Sequence, residues 1–437
     1  MRQLFNPFGK KFSEVKKEDL EILKSVAEGW NIEYKSQKPN ARDISKSISS
    51  FANSHGGIYF VGIEEDGKTN CAKNILGVSD SPDDIRDAVQ GNLQPFPFFE
   101  TFSINLENDK KVLMAVVPSG ENTPYINSNG KIYRRQASAS DPITSESNRF
   151  AIDELYRRAK NYEKGIEKFR NSEFTFCNLE NDTPYLEIYA NTIPFNHFVI
   201  KDFFKEEVMG ALLNQFNGEV KIEEKKEDGS ILISFTSNIK FDSIQTYSES
   251  ISIRNLENQD LAYNGLTIEI DISGNLKLLI PLNKQIGFSG AFGERFSKVL
   301  KKSNEDSISS INFLDTRHIF GSILALVNRY VDYLEQSGYT DKLEFKMRLR
   351  NCWRTSLYID SEKFIEYVEK FGVPICMKSE QDFPKFPSLI DIQDIKNSPI
   401  IQTASLFSHV ANSLGVCSNT AFLSVIEEIQ TNPQSNS

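Results

Sequence analysis

The apolar positions change period along the chain, and each change marks an element. Ile44, Ile48, Phe51 and Ala52 recur at i, i+4, i+7 and i+8, the stripe of an amphipathic helix. This predicts a helix over about 41–53, with Asn40 as its N-cap and Gly56-Gly57 as its stop. Just before it, Asn31 to Lys35 alternates. Ile32 and Tyr34 share one face of a strand, and Glu33 and Lys35 share the other. Ile58 to Ile63 is almost wholly apolar, which predicts a central strand covered on both faces. Glu65-Asp66-Gly67 then reads as a turn. Upstream, Leu20, Leu23, Val26 and Ala27 predict a short helix over 19–27, closed by Gly29 and preceded by a polar arm.

Further along, Ser81-Pro82-Asp83-Asp84 opens a helix that runs to about Leu93. Strands follow at 96–104 and 111–117, then a hairpin of 124–126 and 132–136 around Asn129-Gly130. A serine-rich loop, 137–141, leads to a long helix over 145–170. Residues 173–285 are β-rich, with strands at 186–189, 231–235 and 266–271, turns at Asp228-Gly229 and Ser273-Gly274-Asn275, and a helix near 201–217. Ile319–Gln336, Glu362–Phe371 and Thr403–Leu414 are helical in period, and a polar tail begins at Thr431. The fold class is therefore α/β, of the α+β kind. A mixed N-terminal sheet with flanking helices precedes a β-rich region and a helical C-terminal region. The expected divisions are 1–144, a linker helix 145–172, 173–300 and 301–437.

Composition narrows the classes. With 39% hydrophobic and 11% aromatic residues the chain can fill real cores, so it is globular. No run of eighteen apolar residues occurs, which argues against a membrane span. The polar N-terminus lacks the apolar core of a secretory signal. The five cysteines form no CxxC pair and the four histidines no HExxH motif, so neither a disulfide framework nor a zinc site is expected. A reducing cytoplasm fits. The net charge of −10 argues against a sequence-blind DNA coat. Residues 1–150 are nearly balanced, with 19 Lys+Arg against 20 Asp+Glu, so the acidity belongs to the later part.

Two stretches carry cations in a pattern. Arg157, Arg158, Lys160, Lys164, Lys168 and Arg170 line the long helix, as a solvated face or as a rail for nucleic acid. Phe345 to Arg354 alternates cations with apolar residues, so as a strand it shows Lys346, Arg348 and Arg350 on one face. That face suits phosphate, or pairs with neighbouring acids.

Three separated motifs resemble the AlbA-like domain of the Schlafen family. They are EGWNIEYK at 28–35, SISSFANSHGGIYFVGIEEDG at 47–67 and PYINSNGKIYRRQASAS at 124–140. The resemblance covers about 28–141, and residues 160–437 carry none of its motifs. It implies nucleic-acid binding, with RNA favoured over DNA. In some members it implies metal-dependent endoribonuclease action on tRNA or rRNA. A role in stress or phage defence is the family's habit. Carried over by position, Glu28, Glu33 and Glu65 are the implied catalytic and metal-binding carboxylates. Lys35 is the motif lysine and Arg135 the hairpin arginine. Arg134, Arg157, Arg158 and Lys160 are expected to help hold the backbone.

Departures from the pattern are visible. Glu65 stands where the family has Asp, which leaves Glu64 and Asp66 open as the third carboxylate. Ala137 replaces a glycine. Only one lobe is visible in the sequence, so a two-lobed groove would need a homodimer or help from the region without the motifs. Carboxylates that converge require a cation between them, and oxygen ligands suit Mg²⁺ or Mn²⁺. Such an ion would activate water or a ribose 2′-OH, Lys35 would face the phosphate, and Tyr34 or Phe51 would stack on bases. The alternatives are a binding module that does not cut, or a surface ion pair at Glu33–Lys35 and a polar turn at Glu65-Asp66-Gly67. An ATP-binding role ranks below these, because no GxxxxGK[ST] loop occurs.

Overall fold

The computed structural model describes residues 5–106, 109–136, 142–172, 183–225, 231–255, 265–282, 288, 290–302 and 311–431. The turn at Asp228-Gly229, the loop 137–141 and the end of the C-terminal tail lie outside these residues. The chain divides into two units, Met1–Asn171 and Ser172–Ser437.

The first unit is built on a four-stranded mixed sheet. Its strands are β1 (Ile32–Lys35), β2 (Gly56–Val61), β6 (Glu100–Asn105) and β7 (Lys111–Pro118), in the order β1-β2-β7-β6. β1 runs parallel to β2, and the other two pairings are antiparallel. The parallel pair needs a crossover, and α1 (Ala41–Ala52) supplies it. Asn40 caps α1 by accepting from the Asp43 amide. The apolar stripe of α1 then packs on one face of the sheet, where Ile44, Ile48 and Phe51 meet Tyr59, Val61, Leu113 and Val117. The opposite face takes Ile32, Tyr34, Phe60 and Met114, covered by Leu20 and Leu23. Every residue of β2 is buried, as its apolar run predicts.

Four expectations change here. The 19–27 helix is a 3₁₀ helix, Lys17–Ser25, and Gly29 is not in the left-handed region. The N-terminal arm is not free, because Phe5, Phe8 and Phe12 pack against the second core. The central strand breaks at Gly62, whose φ of +99° suits glycine. A Cβ there would stand 2.9 Å from the Gly77 backbone, so β3 (Ile63–Glu65) leaves the sheet to pair with β4 (Ala72–Ile75). The 124–136 hairpin closes on a single bridge, Ile126 to Ile132. Its arms pair elsewhere: β8 (Ile126–Asn127) with β5 (Leu93–Gln94), and β9 (Tyr133–Arg135) with β10 (Ile143–Ser145). The helix α2 (Pro82–Gln90) opens at Ser81 as expected and adds a capping box with Asp84, and α3 (Arg149–Asn171) is the long helix.

The second unit contains a seven-stranded antiparallel sheet. Its order is Ser243–Thr246, Ser250–Arg254, Thr267–Asp271, Leu276–Pro281, Tyr185–Thr192, Lys342–Arg350 and Gln381–Asp391. One face packs on the helix Thr316–Gln336, which is buried along most of its length, and on Pro399–Ser413. The strand predicted around Phe345 is present and alternates as expected, with Leu343, Phe345, Met347 and Leu349 buried in the core. Among the described residues no helix is long and apolar enough to cross a membrane.

Candidate functional site

The alternation in β1 decides where its charges go. Ile32 and Tyr34 enter the core under the sheet, so Glu33 and Lys35 point together toward α1. They meet as an ion pair, Lys35 Nζ to Glu33 Oε1 at 2.9 Å. Glu33 is not on an open face, however, and only 1% of it is exposed. Ser47 of α1 donates to the same Oε1 at 2.8 Å. Arg135 of β9 reaches Oε2 at 2.7 Å.

Arg135 is wholly covered. Its Nε donates to the Gly29 carbonyl at 2.7 Å, and its guanidinium lies 4.1 Å from the centre of the Phe51 ring. Burial works against the Glu33 charge, but Lys35 and Arg135 outweigh it and hold the carboxyl below its ordinary value. Lys35 is half-buried. Burial opposes its charge too, yet Glu33 and Glu28 raise it above the ordinary lysine value.

Glu28 sits at the start of the same segment. Its Oε2 accepts from the Tyr34 amide at 3.2 Å. Burial pushes its carboxyl up to about 7; Lys35 opposes this, and the charges of Glu33 and Glu65 add to it. Glu65 lies on β3 and is half-buried. Its neighbours serve local structure: Glu64 accepts from Asn74 at 2.6 Å, and Asp66 accepts from the Lys68 amide at 2.8 Å.

A divalent cation needs several carboxylate oxygens with free lone pairs on one centre. Both oxygens of Glu33 already face cations. Among the described residues no three His, Cys, Asp or Glu side chains are grouped to hold a metal ion. In this arrangement Glu28, Glu33 and Glu65 do not fit Mg²⁺ or Mn²⁺.

The predicted cations divide by exposure. Arg135 is internal. Arg134 pairs with Glu146 at 3.1 Å. Arg158 turns inward to the Ser119 hydroxyl and the Gly120 carbonyl, both at 3.1 Å. Arg157 and Lys160 are exposed on α3, Arg157 in a pair with Glu154.

The predicted stacking residues are not available. Tyr34 and Phe51 are both core, and the Tyr34 hydroxyl donates to the Val26 carbonyl at 2.8 Å.

Two residues matter that the motif reading passed over. Asn53 ends α1 and is fully buried. Its amide donates to the carbonyls of Tyr125 at 2.9 Å and Tyr133 at 3.0 Å, and its oxygen accepts from the Tyr125 amide at 2.8 Å. It clasps the 123–135 segment to α1, and so delivers Arg135 to Glu33. A polar residue closing an apolar helical stripe was its signal. The second is Trp30, which is 37% exposed. Its ring lies parallel to His55, with centroids 5.4 Å apart and planes 14° apart. Trp30 shares the 28–35 segment with Glu28, Glu33 and Lys35.

Comparison with known families agrees with the three motifs. Residues 28–144 match the family model described as Schlafen, AlbA_2. No curated protein matches the chain. Among solved structures, the DIP2311 protein of Corynebacterium diphtheriae is similar at 14% identity and a TM-score of 0.22, over 50% of this chain and 49% of that one. The N-terminal domain of a RecG-related protein of Nitrosomonas europaea is similar at 24% identity and a TM-score of 0.19, over 30% of this chain and 89% of that one.

Proposed function

We propose that the first unit binds nucleic acid, and that its preferred ligand is single-stranded or looped RNA. The observation that carries this reading is the exposed Trp30, held parallel to His55 in the segment that also presents Lys35. An unpaired base offers a π-face that such a platform receives, and Lys35, half-buried on the strand that follows, offers a cation for a phosphate. Arg157 and Lys160 supply exposed cations on α3. The match to the Schlafen AlbA_2 family supports the same class of ligand. Residues 1–150, with 19 Lys+Arg against 20 Asp+Glu, supply no broad positive field of the kind a long duplex would require.

Cleavage is a second reading, and one observation favours it. The Glu28 carboxyl, raised to about 7 beside Lys35, is placed in the range where a general acid or base works well. A metal-assisted form with Mg²⁺ or Mn²⁺ would require Glu33 to be released from Arg135 and Lys35.

The test is a titration of the full chain with a single-stranded oligoribonucleotide, its deoxy counterpart and a tRNA, each with Mn²⁺ and with chelator. The RNA arms are expected to bind more tightly than DNA. Trp30→Ala is expected to weaken RNA binding about tenfold, the loss of one base stack. Equal affinity of the wild type and Trp30→Ala would remove the platform. Cutting by the wild type that is lost in Glu28→Gln would establish the second reading.

A further inference from the structure

The five cysteines are scattered in sequence, but the second unit brings two of them together. Cys352 follows the strand Lys342–Arg350, and Cys376 lies in the extended stretch before Gln381–Asp391. Both are buried, and their sulfurs are 3.8 Å apart. Backbone hydrogen bonds fix the two segments side by side. The Cys352 amide donates to the Ser379 carbonyl at 3.0 Å, the Arg354 amide to the Cys376 carbonyl at 2.8 Å, and the Cys376 amide to the Thr355 carbonyl at 2.8 Å. The two sulfurs also differ in surroundings. Cys352 has the carbonyls of Lys378 and Ser379 at 3.3 Å, which accept from its thiol. Cys376 shares the Lys378 carbonyl, at 3.4 Å, and also accepts from the Gln381 side-chain amide at 3.2 Å.

We propose that Cys352 and Cys376 are a thiol–disulfide pair, closed by a peroxide and reopened by a dithiol reductant. The asymmetry assigns the roles. The Gln381 side-chain amide donates to Cys376 and so favours its thiolate, against the cost of burial. The Cys376 thiolate attacks one oxygen of hydrogen peroxide. The O–O bond breaks, Cys376 becomes a sulfenic acid, and the departing hydroxide takes a proton and leaves as water. The Cys352 sulfur then attacks the Cys376 sulfur. The S–O bond breaks, and a second water leaves with the Cys352 proton. Two thiols lose two electrons in total, and the peroxide is reduced to two waters. The sulfurs approach by less than 2 Å to reach a normal S–S bond. The stretch 373–380 carries no helix or strand that would resist this. Met377 and Trp353, beside the pair in sequence, are exposed. The bond would close the loop that holds the helix Glu362–Phe371.

The experiment treats the full chain with hydrogen peroxide, blocks remaining thiols under denaturing conditions, and maps peptides without reduction. The expected result is one linked pair, Cys352 to Cys376, absent after dithiothreitol and absent in Cys376→Ser. Cys71 and Cys417, which are more exposed, should stay unlinked. Full alkylation of both Cys352 and Cys376 after peroxide, or a link from either to another cysteine, would overturn the proposal. The wild-type map decides the matter even if the variant folds poorly.

Discussion

The strand β1 in the first unit and the strand Lys342–Arg350 in the second both carry alternating charge, and they use it in opposite ways. In β1 the charged face turns under α1. Glu33 there is bonded directly by Lys35 at 2.9 Å, Ser47 at 2.8 Å and Arg135 at 2.7 Å. In the strand Lys342–Arg350 the cations face Glu187 across the sheet. Arg348 and Arg350 stand off at 3.6 Å and 3.7 Å, because Asp382 and Glu380 hold their other sides. Both carboxylates are buried. Glu33 is nonetheless held below its ordinary value. For Glu187 burial wins over the pull of Arg350 and Arg348, and the carboxyl is raised. Burial and two nearby cations are present in both places, so the closer approach of the cations at Glu33, 2.7 and 2.9 Å against 3.6 and 3.7 Å at Glu187, decides the sign.

The sharpest way to break this comparison is to remove one arginine from each strand's partners. Arg135→Met strips the Glu33 Oε2 of its buried cation and should cost about 3–5 kcal/mol, read by urea unfolding of the first unit. An effect under about 1 kcal/mol there would mean that Lys35 and Ser47 suffice.

Acidity gives the next largest contrast. Glu33 has a lowered folded value, so its contribution is present above the ordinary 4.5 and is lost as pH falls through that lower value. Glu187 is raised, so its contribution turns against the fold as pH rises from 4.5 through the raised value. Glu28 behaves like Glu187, and stability should decline from about 4.5 to about 7 on its account. Unfolding curves across pH should flatten on the acid side in Glu33→Gln, and on the near-neutral side in Glu28→Gln. A carbon-13 NMR titration of the Glu28 carboxyl should give a midpoint near 7; a midpoint at the ordinary value would show it open to water.

The smallest effect belongs to Arg348→Met, about 1 kcal/mol or less, since Arg350 still faces Glu187. If it matched Arg135→Met, the distinction between the two strands would fail.

Much of the first unit was legible in the sequence. The α1 stripe, the parity of Glu33 and Lys35, and the buried β2 run all follow from local period. The family match over 28–144 follows from motifs in order. What period cannot supply is what covers a face. Alternation put Glu33 and Lys35 on one side of a strand. Only Arg135, 102 residues away, made that side an interior clamp and engaged the second oxygen of Glu33. The same holds for Asn53, whose partners lie 72 and 80 residues on. It holds again for Trp30, whose value depends on His55 lying beneath it rather than on its own neighbours. The 3₁₀ form of Lys17–Ser25 was illegible for another reason. Leu20 and Leu23 are three residues apart, a spacing that puts them on one face of either helix type, so the apolar pattern could not separate the two.

The proposal that Trp30 receives an RNA base is tested most directly by its own fluorescence. The chain has two tryptophans, Trp30 and Trp353, so Trp353→Phe leaves Trp30 as the only reporter. Titration of that variant with a single-stranded oligoribonucleotide is predicted to quench the emission saturably, at the concentration where anisotropy of a labelled strand reports binding. Binding by anisotropy with no change in Trp30 emission would contradict the account.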